Sequence, residues 1–404
     1  MTTTTVRVPT KRFEQRKSAI VGSAVEVLNR RGVRGMTLAD VAARLDLVPT
    51  GVIYYFKNKE DLAAACFLRG IDRYNDLIAL AEGGENVRAR VKLFLDAYFD
   101  YRAQMLAGQA EPLTVFNDVR ALNSAPVNAA YVDMFRRIRT LLSGPETRAV
   151  SRPALGARAL LLISEVFWAP VWLHRNDAED FGRVSKRVWA ITVDGLAAAG
   201  AAWNPVALPT LIPKGGEASS ELFLRAATQL INEEGYVGAS VEKISARLNV
   251  TKGAFYHHHE TKDELVVACF ERTFDVMRRA IRQAEEVSTT GLQTLATIAT
   301  ALVEYQLNGN APLLRASALT SAPEAIQPQL VARFDRLSDR FASLISDGIA
   351  DGSVRPVDVN VGAQMLTAMI NAAAELHHWT PGVTPQVAAA LYVRPFFEGL
   401  APEA

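Results

Sequence analysis

A sequence that repeats itself over long range folds as one unit used twice, and this chain does so. Displaced by 203 positions, Ala24–Asp72 falls on Ala227–Asp275 without a gap, and 14 of the 49 positions are identical. The matches include Gly32/Gly235, Gly35/Gly238, Arg44/Arg247, Leu45/Leu248, Lys59/Lys262, Leu62/Leu265 and Phe67/Phe270, and the chain's two cysteines, Cys66 and Cys269, superimpose. The echo continues faintly in Ser124-Ala125-Pro126 with Ser321-Ala322-Pro323 and in Leu173-His174 with Leu376-His377. Between the halves, residues 204–216 carry three prolines and two glycines, the composition of a stiff, extended linker. At 404 residues the chain is too long for one ordinary core and suits two copies of a domain of about 200 residues.

Outside that linker the apolar residues recur with helical period. Ile20, Ala24, Val27 and Leu28 make one face in the first copy; Phe223, Ala227, Leu230 and Ile231 make it in the second. Alternating strand patterns of any length are missing, so the class is all-α. The division expected is a flexible basic arm over 1–17, a head of short helices over 18–65, a helical body over 66–203, a linker over 204–217, a second head over 218–268 and a second body over 269–404.

Each head reads as a helix closed by a glycine (Gly32 or Gly235), then a hydroxyl N-cap, Thr37 or Ser240, opening a short helix. A tight turn leads to another short helix near Pro49 or Lys252, and Pro49 suits a first helical turn because its missing N–H is not needed there. Two short helices after a supporting one make a helix-turn-helix. Its second short helix would offer Pro49, Thr50, Gly51, Tyr54 and Tyr55 to DNA, or Thr251, Lys252, Gly253, Tyr256 and His257 in the second copy. Thr37, Ser240, Lys59 and Lys262 are the expected backbone contacts beside them.

The run Ala24-x-x-x-Leu28-x-x-x-Gly32…Thr37…Tyr54-Tyr55-Phe56-Lys57-Asn58-Lys59-Glu60-Asp61-Leu62 resembles the tetracycline-repressor (TetR) family. So does Ala227…Gly235…Ser240…Val250-Thr251-Lys252-Gly253-Ala254-Phe255-Tyr256…Lys262-Asp263-Glu264-Leu265. The resemblance spans about 50 residues per copy. It implies two protomer-like halves, each with a DNA-binding head and a helical ligand-binding body, and a regulator of transcription that is usually a repressor. Two positions depart from the family's pattern: Ile53 stands where a tyrosine is usual, with Tyr54 beside it, and His259 stands where a phenylalanine is usual.

The heads differ in charge. Residues 7–60 hold eleven Lys/Arg and five Asp/Glu, a net +6, whereas residues 210–263 hold six and seven, a net −1. Phosphate attraction supplies much of any DNA affinity, so the first head, helped by Lys11, Arg12, Arg16 and Lys17, should supply most of it. The simpler alternative is two equal heads whose acidic residues face away from DNA. Over the whole chain Lys+Arg 44 nearly balances Asp+Glu 43, which excludes a uniformly basic nucleic-acid coat protein.

The remaining constellations are weighed against plain packing. Three consecutive histidines, His257-His258-His259, point in different directions on a helix and do not converge on one metal ion. Cys66 and Cys269 read as small core residues in a reducing, cytosolic chain, with no secretory leader at the N-terminus. Ala154–Leu173 is the most apolar stretch, but Arg158 and Glu165 interrupt it, so a buried helix is expected and no membrane partner. No phosphate loop, nucleophile elbow or metal-spaced set appears, so neither an enzyme nor a cofactor is expected.

The first body is rich in rings. Tyr98, Tyr101, Phe116, Trp168 and Trp172, with Tyr305 in the second body, are the candidates to line a pocket for a small apolar effector. The helices 154–174, 181–199, 359–377 and 385–399 are expected to pair as a seam inside one chain. That makes the chain its own pseudo-dimer, with double-stranded DNA as partner and an imperfectly palindromic operator.

Overall fold

The computed structural model describes residues 10–116, 118–211, 218–251, 253, 261–309, 312–315, 318 and 325–400. The first head begins with α1 (Lys11–Gly35), whose N-terminus is capped by Thr10, the Phe13 amide donating to its hydroxyl oxygen at 3.3 Å. Residues 11–17, read as part of a flexible arm, are therefore the first two turns of α1. The reason is local: Phe13 packs on Tyr55 with ring centroids 4.8 Å apart, which ties this end of the helix to the head. Gly32 stops the regular helix with φ +67, a conformation that costs little without a Cβ.

Thr37 caps α2 (Leu38–Arg44), and α3 (Pro49–Ile53) starts on its proline, as expected. α4 (Lys59–Ala81) is capped by Asn58, which accepts from the Asp61 amide at 2.7 Å, and carries Glu60 and Asp61 in the first turn where the helix dipole favours them. α5 (Val87–Leu106), α6 (Ala125–Leu141), α7 (Arg152–Trp172) and α8 (Phe181–Asp194) complete the first body. By length and composition the span Arg152–Arg175 is apolar enough to cross a membrane, yet 72% of that window is buried inside the protein. It is a core helix.

The second copy repeats the scheme with α9 (Ala218–Gly238), α10 (Val241–Arg247), α11 (Lys262–Val287), α12 (Gly291–Leu307), α13 (Gln327–Ala350), α14 (Val359–Ala372), α15 (Leu376–Trp379) and α16 (Pro385–Glu398). Gly235 kinks α9 with φ +72, as Gly32 kinks α1. The repeat extends to long-range hydrogen bonds. Asn29 donates to the Leu113 carbonyl at 2.8 Å and accepts from the Val115 amide at 2.9 Å; Asn232 does the same with Leu313 and Arg315, both at 2.9 Å. In each copy one asparagine thus ties the head's first helix to a loop of the body.

The two copies pack against each other through α7 and α8 on one side and α14 and α16 on the other. The buried Trp168 indole donates to Gln364 at 3.1 Å, and Arg158 reaches the Leu400 carbonyl at 2.8 Å. Arg355 returns the contact, donating to the Gly195 and Ala190 carbonyls at 2.7 Å each. Beyond the helix ends the backbones of the two copies hydrogen-bond directly: the Leu196 and Ala197 amides to the Phe397 carbonyl at 3.0 and 2.8 Å, and the Leu400 amide to the Thr192 carbonyl at 2.9 Å. Among the described residues the β-type pairing is one isolated bridge, Ala197 with Val354.

Candidate nucleic-acid interface and effector cavity

In the first head, α2 and α3 are joined by a turn in which Asp46 takes φ +51. Val41 and Val52 point inward and are fully buried, fixing the angle between the short helices. That leaves Pro49, Thr50, Ile53 and Tyr54 facing solvent, while Gly51 and Tyr55 are half-buried. Tyr54 is 73% exposed; its ring meets Tyr55 edge-on at 5.0 Å, and Tyr55 lies against Phe13. Lys11, Arg12 and Arg16 lie exposed on α1 in the same head, and Lys17 sits over the Phe56 ring at 5.8 Å.

Two expected backbone contacts have structural duties as well. The Thr37 hydroxyl donates to Asp40 at 2.7 Å and its oxygen accepts from the Asp40 amide. With Arg31 2.6 Å away, these bonds hold the Asp40 carboxyl below the usual range. Lys59 donates to the Arg34 carbonyl at 3.0 Å, closing the end of α1.

In the second head Ser240 caps α10, accepting from the Lys243 amide at 3.3 Å. Thr251 and Gly253 are exposed. Lys252, Tyr256 and His257, with His258 and His259, lie outside the described residues. Lys262 covers the Tyr236 ring at 4.2 Å, and burial pulls its ammonium below the usual lysine range. Among the described residues of this head, Arg225 pairs with Glu221, Lys243 with Glu234 and Arg247 with Glu233. Glu233 and Glu234 occupy the places that Arg30 and Arg31 hold in the first copy.

The family model described as bacterial regulatory proteins, tetR family, matches residues 20–66 and again residues 223–269, the two matches beginning 203 residues apart. The chain therefore carries the tetR-family domain twice, once in each head.

Its curated relatives include proteins named as HTH-type transcriptional regulators. The chain is 28% identical over 136 residues to the HTH-type transcriptional repressor DhaR of Mycobacterium sp. (strain GP1), covering 33% of this chain and 68% of that protein. It is 32% identical over 92 residues to the transposon Tn10 TetC protein of Escherichia coli, covering 23% of this chain and 46% of that one. It spans less than half of that second relative. Among solved structures, apo AibR superimposes with a TM-score of 0.38 at 21% identity, covering 45% of this chain and 99% of the other. A tetR-family regulatory protein from Rhodococcus RHA1 gives a TM-score of 0.38 at 20% identity, covering 47% of this chain and all of the other.

A large cavity, about 650 Å³, lies where the two bodies and both heads meet. Phe116, Phe167 and Trp168 line it from the first body, and Trp379 from the second copy stacks on Phe135 with centroids 3.4 Å apart. Of the six ring residues proposed from sequence, Phe116 and Trp168 line this cavity. Trp172 lines a smaller one of about 250 Å³. Tyr98 is fully buried and donates to the Val166 carbonyl at 2.8 Å, Tyr101 donates to the Glu111 carbonyl at 3.0 Å, and Tyr305 accepts from the buried Arg272 at 2.8 Å; none of these three lines either cavity.

Sequence reasoning passed over the polar half of the cavity. Asp118 accepts from the Val33 amide at 2.5 Å, just past the Gly32 kink, so a wall of the cavity bonds directly to the end of α1. Burial raises the Asp118 carboxyl above the usual range. Arg34 of α1 pairs with Glu234 of α9 at 3.2 Å, joining the two heads in the cavity wall. Glu375 pairs with Arg120 at 3.2 Å and with Arg315 at 2.9 Å, one cation from each copy. These contacts link residues far apart in sequence and have no local signature. The histidine run lies outside the described residues, and among those residues no cluster suited to a metal is found.

Both cysteines are buried, and burial pushes each thiol up to about 12, the state of inert core residues.

Proposed function

We propose that the chain is a ligand-responsive transcriptional repressor of the cytoplasm that grips an imperfectly palindromic operator with both heads of one molecule. The observation that carries this reading is the first head: Pro49 and Thr50 on α3 and Tyr54 just past its end face solvent, beside the exposed basic turns of α1, across a seam from a second copy of the same head. In a helix-turn-helix the second short helix enters the major groove, and paired heads read half-sites about 34 Å apart. The seam supports a self-contained pair, since it joins two copies that would otherwise need to find each other. A small, largely apolar effector in the bodies would act by shifting the heads, with a coupling of about 1–3 kcal/mol.

A second reading, in which only the first head grips DNA, is favoured by one observation. Lys243 and Arg247 are occupied by Glu234 and Glu233. The experiment that separates the readings is selection of a binding site from random duplexes by the purified chain, followed by footprinting and sedimentation on the winner. One chain protecting two half-sites a helical turn apart is the expected result. A single protected half-site would establish the one-headed reading, and no sequence preference at all would overturn both.

A further inference from the structure

The large cavity has an apolar floor, and its charged lining balances overall, four arginines against Asp118, Glu233, Glu234 and Glu375, but not at each place along the wall. Glu375 is shared by two guanidiniums, Arg120 from the first copy at 3.2 Å and Arg315 from the second at 2.9 Å. One carboxylate between two arginines leaves a surplus positive charge. His378, 3.8 Å from Glu375, does not add to it: burial and the neighbouring Arg120 bring its imidazole down to about 4, so it is neutral near pH 7. The buried Nε of Arg315 has no hydrogen-bond acceptor among the described residues. Arg120 also lies over the Trp379 ring at 5.9 Å, so the cation and the apolar wall adjoin.

The corresponding place in the other half is built differently. By the 203-residue displacement, Trp172, Arg175 and Asn176 correspond to Glu375, His378 and Trp379. They line the smaller cavity of about 250 Å³, where Arg175 pairs with Asp335 and Arg187 with Asp358. Each of those arginines has its own carboxylate. A cavity of about 650 Å³ falls within the range of small-molecule sites, about 300–1,000 Å³, and the smaller one falls below it.

We propose that the large cavity binds one apolar acid per chain, its anionic head between Arg120 and Arg315 and its apolar body along Trp379, Phe135 and Phe116. The site needs both copies, since the two arginines come from different halves. A ligand seated there shares the cavity with Asp118, which bonds to the end of α1, and with the Arg34–Glu234 pair. Its consequence for DNA rests on the repressor reading above; its existence does not.

The test uses two fluorescent probes with the same aromatic body: anilinonaphthalene sulfonate, an anion, and phenylnaphthylamine, which is neutral. Titrated into the full chain, the sulfonate should bind at one site. Arg120→Gln and Arg315→Gln should each weaken it about tenfold, the size of one lost charge-assisted hydrogen bond, and leave the neutral probe within about twofold. Glu375→Gln should tighten the sulfonate, because both guanidiniums lose their internal partner. This gain of binding does not depend on how well the arginine variants fold. Two sulfonate sites per chain, equal losses for both probes, or no tightening in Glu375→Gln would overturn the proposal. Adding the sulfonate to the selected operator complex separates the two readings: probe binding as expected with operator affinity unmoved keeps the site and removes its role as effector site.

Discussion

Tyr54 holds an aromatic ring 73% exposed at the end of a five-residue helix, and water gives it no reason to be there. On the DNA-binding reading it meets the operator, so Tyr54→Ala should weaken specific binding at least tenfold, read by fluorescence anisotropy, while the melting temperature stays within a degree or two. Glu165 presents the opposite problem, a carboxyl buried on α7 whose Oε1 has no hydrogen-bond partner among the described residues. Burial pushes it well above the ordinary value of 4.5. The folded chain therefore holds this proton more tightly than the unfolded chain does. Stability from the group is full below pH 4.5 and is lost as pH rises through the folded value. Glu165→Gln should accordingly gain in melting temperature over the parent as pH increases, with the two converging in acid; a constant gap would contradict it.

At the scale of the element, each copy's last long helix ends on a glycine that the other copy's backbone closes over. Gly195 follows α8 with φ +69 and Gly399 follows α16 with φ +92. A Cβ on Gly195 would collide with the Phe397 carbonyl, and one on Gly399 with the Val193 carbonyl. Gly195→Ala combines the left-handed penalty with a backbone clash and should cost at least about 2 kcal/mol in urea unfolding. The helices themselves were readable beforehand. Thr37 and Ser240 stand before apolar periodic runs, Pro49 opens α3, and Gly32 and Gly235 close the first helices, because caps are decided by residues within one turn. The boundary at Lys11 was not readable, since charge along 11–17 suggested a solvated arm and only packing of Phe13 on Tyr55 makes it helix. The large cavity was half readable for the same reason. Rings such as Phe116 and Trp168 announce an apolar wall, whereas nothing near Arg120 in the sequence points to Glu375.

For the molecule as a whole, the repeat gave the architecture and the divergence between copies gives the behaviour. The first head's Arg12 and Arg16 are exposed, and the second head's Lys243 and Arg247 are paired with glutamates. Replacing Arg12 and Arg16 together by Gln should lower the slope of log affinity against log salt by about 2, at about 0.9 per phosphate contact. The same change at Lys243 and Arg247 should lower it by less than half as much, and equal reductions would mean equal heads. The seam has a genetic corollary. Where a regulator is assembled from separate subunits, a defective subunit mixes with sound ones and spoils them. Here Arg158 reaches Leu400 and Arg355 reaches Gly195 within one covalent chain, so on the single-molecule reading the halves are never exchanged. A variant crippled in one head would be recessive to the intact gene, and a change in one copy would stay confined to the molecule that carries it, leaving the two heads free to diverge toward unlike half-sites.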